Sequence, residues 1–248
     1  MSGKPFDYQT VAGDYQYRAM LHGFPMQRFW HKGKLVFWDK VIAPRLGRVH
    51  TNTPIMEIGC GAGLLTQHLA SSPQLKLGLD INFHALTFLH KRFEEMRKAD
   101  SFFAVCSTGE GLPFKENSFG GLILSEILEH LHEPQIMLNE AFRVLEPGGW
   151  CYLTTPNYHS FWPWMERILD TLRLTPPIAG AQHVSPFTIQ TLRDQVKDWK
   201  VETINSFYSA SPFYAVFSEK LAMCALNREC QSTSKRGMLL ACLLRKPN

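Results

Sequence analysis

Residues 55–65 read IMEIGCGAGLL, and residues 77–80 read LGLD, ending on Asp80. The first stretch starts as a short apolar run, Ile55 to Ile58, broken by one acid, Glu57. It then sets glycines at alternate positions, Gly59, Gly61 and Gly63. Glycine is needed where a backbone takes positive φ or approaches a ligand closely, because a Cβ obstructs both. The pattern predicts a strand, a tight turn and the start of a helix whose unpaired N–H groups face whatever lies at the turn. Leu75 to Leu79 is the expected neighbouring parallel strand. Asp80 falls at its carboxyl end, where open α/β sheets hold their ligands. A carboxylate there can accept from two ribose hydroxyls, with hydrogen bonds to a charged group contributing roughly 1.5–3 kcal/mol each. The local reading is a nucleoside site.

A dinucleotide fingerprint requires G-x-G-x-x-G or G-x-G-x-x-A. Here Leu64 occupies the position that must be small, and the third glycine comes one residue early. The pattern E-x-G-C-G-x-G instead resembles the first motif of the class I methyltransferases that use S-adenosylmethionine, and Asp80 matches their ribose-binding acid. The resemblance implies a cofactor site drawn from Glu57, Gly59, Cys60, Gly61, Gly63 and Asp80, with Ile81 and Asn82 beside the ribose and adenine.

Two later stretches extend it. In STGEGLPFKENSFGGLILSEILEHL, residues 107–131, LPF stands at 112–114 and LEH at 128–130, flanking an apolar strand, Gly121 to Leu124, that ends at Ser125. This resembles the menaquinone and ubiquinone type of methyltransferase, with Gly120 in place of the usual acid. Thr108 stands where that family commonly has an aspartate on the adenine amino group, so Thr108, the backbone at Gly109 and the Glu110 carboxylate are alternatives there. The resemblance places Ser125 beside the transferring methyl. LEPGGWCYLTTPN, residues 145–157, resembles the end of the same core. The match, a methyltransferase type 11 domain, runs from about residue 55 to 157.

The 248 residues are 45% hydrophobic and 19% charged, an ordinary globular composition. The polar start, MSGKPFDYQ, predicts no secretory signal, and no apolar run approaches the ~20 residues needed to span a bilayer. The chain is expected in the cytoplasm. Six cysteines show neither C-x-x-C spacing nor a zinc pattern, so reduced core thiols are expected. Net charge is +4, and residues 1–50 alone carry eight Lys or Arg against Asp7, Asp14 and Asp39. Without a dense basic patch no nucleic-acid partner is expected. Aromatics at helical intervals around Trp30, Leu35 and Trp38 predict helices that cap the site. By the resemblance Arg28 meets the methionine carboxylate of the cofactor; a solvated basic helix is the other reading.

The expected fold is Rossmann-like α/β: a seven-stranded, mostly parallel sheet with helices on both faces. Residues 1–50 form an N-terminal helical cap and 51–248 the methyltransferase domain, with helical insertions after the fifth and sixth strands. A helix is predicted from Pro134, stopped by EPGG at 146–149, and a last core helix starting near Ser185 with Pro186 in its first turn. Residues 158–177 form an amphipathic, aromatic-rich helix that is a lid over an apolar substrate, a membrane-touching surface or ordinary packing. Its two acids, Glu166 and Asp170, weigh against a membrane face. Residues 211–230 form a second apolar helix.

His130 and His183 are the candidate general bases, the ordinary histidine pKa of about 6.5 suiting proton removal from a hydroxyl. In some quinone O-methyltransferases an E-x-x-E-H run, here Glu126, Glu129 and His130, helps hold a divalent metal; the same residues are common in solvated helices, and no metal is assigned. The expected function is methyl transfer from S-adenosylmethionine, leaving S-adenosylhomocysteine, to oxygen or carbon of a small apolar or lipid-like acceptor. N/D-P-P-Y/F, the run that marks nitrogen methylation, is absent. A noncatalytic cofactor-binding protein and a nicotinamide-dependent oxidoreductase are the alternatives.

Overall fold

The computed structural model describes residues 7–46, 53–173, 178, 182–232 and 235–248. Two helices come first, α1 (Tyr15–His22) and α2 (Pro25–Phe37), the second running on through a π turn and a 3-10 turn to Arg45. β1 (Ile55–Ile58), α3 (Leu64–His68), β2 (Lys76–Asp80), α4 (Phe83–Glu95) and β3 (Phe102–Cys106) follow. The chain then forms β4 (Phe119–Ser125), α5 (Pro134–Val144) and β5 (Leu145–Pro156). The last elements are α6 (Trp162–Thr171), α7 (Ile189–Gln195), β6 (Lys200–Phe207), α8 (Ser211–Tyr214), α9 (Glu219–Gln231) and β7 (Leu239–Arg245). The point between residues 50 and 51 expected to divide cap from domain lies outside the described residues.

The strands form one seven-stranded sheet in the order β3-β2-β1-β4-β5-β7-β6. β7 runs antiparallel to both its neighbours and every other pairing is parallel. From β1 the chain moves outward to β2 and β3, then returns to pair β4 on the other side of β1. That reversal opens a crevice at the carboxyl ends of β1 and β4.

Alternation of side chains along each strand divides the core into two layers. Met56, Ile58, Leu122, Leu124, Cys151 and Leu153 point to one face and are buried with Met137, Leu138 and Ala141 of α5 and Leu192 of α7. Ile55, Ile123, Trp150 and Tyr152 point to the other, against Phe29 and Phe37 of α2, Trp38, and Ala222 and Leu226 of α9. Phe37 stacks on Phe207 with ring centroids 4.0 Å apart, and Trp38 meets Trp150 at 5.7 Å. α2 and the turns that follow it are thus part of one sheet-facing layer. A third cluster under α4 joins Cys60, Leu86, Leu89 and Phe93.

Three local expectations shift. The last core helix starts at Ile189, three or more residues later than Ser185 and Pro186 suggest. Ser185 is engaged elsewhere, its N–H donating to the Glu129 carbonyl and its hydroxyl to the Leu131 carbonyl at 2.6 Å. Thr188 caps instead, in a reciprocal box with Thr191. EPGG ends α5, but Leu145 already pairs with Phe119, and a register shift before Gly121 lets the glycines bulge out of β5. The helix expected over 211–230 is two helices, because Ser218 turns extended and its hydroxyl caps α9. α6 ends at Thr171; residues 174–177 of the expected helix lie outside the described ones.

Candidate functional site

The glycine turn forms as its sequence predicts: Gly59, Gly61 and Gly63 have φ of 67°, 50° and 65°. A Cβ at Gly61 would lie 2.6 Å from Gln16 Oε1, so the turn and α1 enclose a space that only glycine leaves open. Asp80, at the end of β2, accepts the Gly61 N–H on Oδ2 at 2.7 Å and the Asn82 N–H on Oδ1 at 2.8 Å. Those bonds fix the carboxylate at the rim of the turn and leave each oxygen a further lone pair. Glu57 is buried below and accepts from the Thr66 N–H at 3.0 Å and from the Thr66 hydroxyl. Burial raises its pKa from the ordinary 4.5 to about 7, against the lowering effect of the Thr66 bonds.

A cleft of about 310 Å³ follows the crevice, lined by Gly59, Gly61, Asp80, Ile81, Asn82, Thr108, Gly109, Glu110 and Ser125. These are nine of the residues the sequence singles out for the cofactor. The remaining four are placed differently. Glu57 and Cys60 line a small recess beyond Gly59. Gly63 starts α3, where a Cβ would strike Leu89. Arg28 donates to the Gly23 carbonyl at 3.3 Å and lines none of these cavities. The recess is lined instead by Gln16, His31 and Lys34. Asn82 is a fastening residue: Oδ1 caps α4 through the Ala85 N–H, while Nδ2 donates to the carbonyls of Tyr8 and Val11 at 2.8 and 3.0 Å. It thereby holds the N-terminal segment across the cleft.

A second cavity, about 250 Å³, adjoins the first. Phe24, Met26, Trp30, Trp162, Met165 and Leu169 give it apolar walls, and Glu129, His130 and His183 stand in it as polar groups. Tyr8, Tyr15, Gln16, Glu126 and His130 line both cavities and so form the junction.

The acids and histidines behind Ser125 diverge. Glu126 has φ 54°, in the left-handed region, and accepts from Trp30 Nε1 at 2.9 Å and from Lys34 Nζ. Burial favours its neutral form, but the Lys34 ammonium outweighs burial and holds the carboxyl below its usual range. Glu129 is buried and accepts from the Thr155 hydroxyl at 3.0 Å; burial raises it to about 7. His130 is lowered to about 4, chiefly by burial. Its Nδ1 lies 2.9 Å from the Gln182 carbonyl, which can only accept, so Nδ1 carries the hydrogen. His183 is different. Burial pulls it down, but a 2.5 Å bond from Nδ1 to Glu166, with Glu129 and Glu126 nearby, raises it overall.

Glu166 is buried and also accepts from the Tyr158 hydroxyl and Trp162 Nε1, each at 2.6 Å. Among the described residues Glu129, His130 and His183 each bring one ligand atom within 4.8 Å of the others. The E-x-x-E-H run does not converge as a unit, because Glu126 turns to α2.

Tyr8, Tyr15, Gln16, Lys34 and Glu166 are absent from the sequence-derived site. The Trp162–Glu166 spacing of four puts both on one helix face, a signal that was available. Nothing local marks the others.

Residues 56–153 match the family model described as a methyltransferase domain. The mitochondrial ubiquinone biosynthesis O-methyltransferase of Candida albicans is 30% identical over 158 residues, 61% of this chain and 46% of the relative. The demethylmenaquinone methyltransferase of Renibacterium salmoninarum is 24% identical, over 65% of this chain and 66% of the relative. The chain spans less than half the length of the Candida relative. The geranyl diphosphate C-methyltransferase of Streptomyces coelicolor, solved with Mg2+, geranyl diphosphate and S-adenosyl-L-homocysteine, has the same fold. Its TM-score is 0.65 at 12% identity, covering 96% of this chain and 85% of that one.

Proposed function

We propose that this chain, which carries a class I S-adenosylmethionine-dependent methyltransferase domain, methylates a flat apolar acceptor through an oxygen held in the aromatic cavity. The observation that carries the reading is the shared wall of the two cavities, Tyr8, Tyr15, Gln16, Glu126 and His130. A nucleoside cleft opens there onto an aromatic chamber that holds a histidine with a raised pKa. Relatives named for ubiquinone and demethylmenaquinone support a quinone-like acceptor.

The residues present fit the cofactor. The Gly61 turn leaves space that a Cβ would fill, and Asp80 presents free lone pairs at its edge for the ribose hydroxyls. Gln16, His31 and Lys34 are positioned for the methionine end, in place of Arg28. When bound, S-adenosylmethionine supplies an electrophilic methyl whose sulfonium charge disappears on transfer. Strong oxyanion-type stabilisation then has little to act on, and alignment is the main requirement. Trp30 and Trp162, with ring centroids 5.1 Å apart, wall the chamber where a flat ring would lie. Tyr8 crosses the junction, its hydroxyl donating to Gln182 Oε1 at 2.6 Å.

His183 takes the acceptor proton on Nε2, since Glu166 engages Nδ1. Glu166 and its donors Tyr158 and Trp162 orient the ring and stabilise the imidazolium that forms. His130, neutral well below pH 7, serves as a hydrogen-bonding group at the junction.

The convergence of Glu129, His130 and His183 favours a second reading, in which they hold a divalent cation against the acceptor oxygen. The two readings separate by chelation. Activity that persists in EDTA supports the base; activity lost in EDTA and restored by Mg2+ or Mn2+ makes His183 a ligand.

The test of the whole reading is incubation with methyl-labelled S-adenosylmethionine and phenolic quinone precursors, beside the same compounds with that oxygen already methylated. Label on the free phenol alone is expected. Label on ring carbon would move the acceptor atom from oxygen to carbon. No label, with cofactor binding intact by calorimetry, would leave a noncatalytic binding protein.

A further inference from the structure

We propose that Tyr8 is a positioning residue that couples the two cavities: cofactor in the cleft holds the N-terminal segment closed, and the Tyr8 side chain then fixes the Gln182–His183 wall of the acceptor chamber. Tyr8 lines both cavities. Its main chain belongs to the cofactor side. The Tyr8 carbonyl accepts from Asn82 Nδ2 at 2.8 Å, and the Asn82 N–H donates to Asp80, the acid at the rim of the glycine turn. Its side chain belongs to the acceptor side. The hydroxyl donates to Gln182 Oε1 at 2.6 Å, and the ring meets His130 with centroids 4.8 Å apart. His130 in turn donates from Nδ1 to the Gln182 carbonyl, and its ring centroid lies 5.1 Å from that of His183. Tyr8 and His130 thus hold Gln182 by its side chain and its main chain, one position before the proposed base.

The segment that carries Tyr8 is suited to opening. None of residues 7–14 is buried, yet Val11, Ala12 and Gly13 line the cofactor cleft. A stretch with few buried apolar contacts opens at far below the free energy of global unfolding. When closed it is seated closely. A Cβ at Gly13 would lie 2.2 Å from the His84 carbonyl oxygen, so the segment meets α4 at a distance that only glycine allows. Gln16, in the first turn of α1, accepts the Ala62 N–H at 3.2 Å. The Tyr8 phenol is a dependable donor in this state. Burial, with Glu129 and Glu126 nearby, raises its pKa above the ordinary 10, so the hydroxyl keeps its hydrogen at neutral pH.

Because the segment forms a wall of the cleft, a ligand that fills the cleft contacts it only in the closed state. Binding therefore shifts the equilibrium toward closure. The base-bearing wall of the chamber is then set once the cofactor is in place, which puts the cofactor before the acceptor. Linkage is reciprocal, so an acceptor in the chamber tightens cofactor binding by the same factor. The purpose of the coupling rests on the proposed function, but its existence does not, because it is read with S-adenosylhomocysteine alone.

The test is hydrogen exchange, read by mass spectrometry on the full chain with and without saturating S-adenosylhomocysteine. The His183, Val184 and Ser185 amides donate to the carbonyls of Ile178 and Glu129, and none of these three residues lines the cofactor cleft. In the parent, ligand is expected to slow their exchange by at least about fivefold. Tyr8→Phe keeps the ring and loses the hydroxyl. In it the slowing at 183–185 is lost, while slowing at Gly61 and Asn82, whose amides donate to Asp80, is retained and shows that the variant folds and binds. A merely structural role would change exchange at 183–185 equally with and without ligand. Gln182→Ala, which removes the acceptor oxygen, gives the same result, and Tyr8→Phe combined with Gln182→Ala goes no further than either alone. A parent slowed at 61 and 82 but not at 183–185 would overturn the proposal, as would full slowing at 183–185 in Tyr8→Phe. Coupling in a protein that methylates none of the phenols would uphold the proposal and remove only the function it serves.

Discussion

His183 Nδ1 lies 2.5 Å from Glu166 Oε1, a bond between residues 17 positions apart that α6 and the segment before α7 bring together beside the aromatic chamber. Burial would leave this histidine neutral; the carboxylate makes it more basic than usual. A base must be deprotonated to act, so kcat is expected to rise with pH along a limb above the ordinary 6.5. Glu166→Gln removes the raising charge and moves that limb to lower pH. His183→Ala abolishes the limb and lowers kcat by roughly 10²–10⁴, with cofactor affinity unchanged. His130→Ala retains the limb. A pH–rate profile of each variant reads all four outcomes; a limb unmoved in Glu166→Gln would sink the assigned role of the carboxylate.

Asp80→Ala is expected to weaken S-adenosylhomocysteine binding by roughly 1.5–3 kcal/mol for each ribose hydrogen bond lost. Part of the change is indirect, because the Gly61 and Asn82 N–H groups also lose their acceptor. Titration calorimetry measures it, and Asp80→Asn, which keeps an acceptor oxygen, should retain part of the affinity. Parental affinity in Asp80→Ala would remove the residue from the ribose site.

Glu57 carries a pH signature in stability. Its folded pKa of about 7 lies above the ordinary 4.5, so the folded state binds more protons than the unfolded one between those values. Stability through this group is therefore present below about pH 4.5 and lost as pH rises to about 7, on the order of 3 kcal/mol. Glu129 titrates over the same window and with the same sign. Glu57→Gln should remove part of that slope in urea melts at stepped pH and raise stability above pH 7. An unchanged slope would show that Glu57 is ionised in the fold.

Asn82→Ala should loosen the N-terminal segment. It removes the α4 cap, costing about 0.5–2 kcal/mol, and both bonds to the Tyr8 and Val11 carbonyls. Limited proteolysis is expected to cut earlier within residues 7–14, with slower cutting restored by S-adenosylhomocysteine. Cleavage at the parental rate would mean that the segment is held by other contacts.

Most of the sheet was legible in the sequence, because alternating apolar residues and a glycine turn act within a few positions. Met56, Ile58, Leu122 and Leu124 could face only one layer, and Gly59, Gly61 and Gly63 could only form a turn. Gly61 and Asp80 meet because parallel pairing of β1 and β2 puts their carboxyl ends together, a consequence of two adjacent strands. The helix boundaries were less legible. Thr188 starts α7 because Ser185 is drawn to Glu129 and Leu131, and that competition depends on a segment more than fifty residues away.

By itself, then, the sequence determined the strand-turn-helix unit, the order of its later motifs and the acid that faces the cleft, since each rests on backbone chemistry and short-range period. Only the tertiary structure decided which polar groups meet. Glu126, read beside His130, turns to Lys34 and Trp30, while Glu166, read only as one of two acids of an amphipathic helix, is buried against His183. A carboxylate two or three bonds from its backbone takes the direction of its nearest donor. Where that donor lies is set by how α2 and α6 rest on the sheet, which no local pattern encodes.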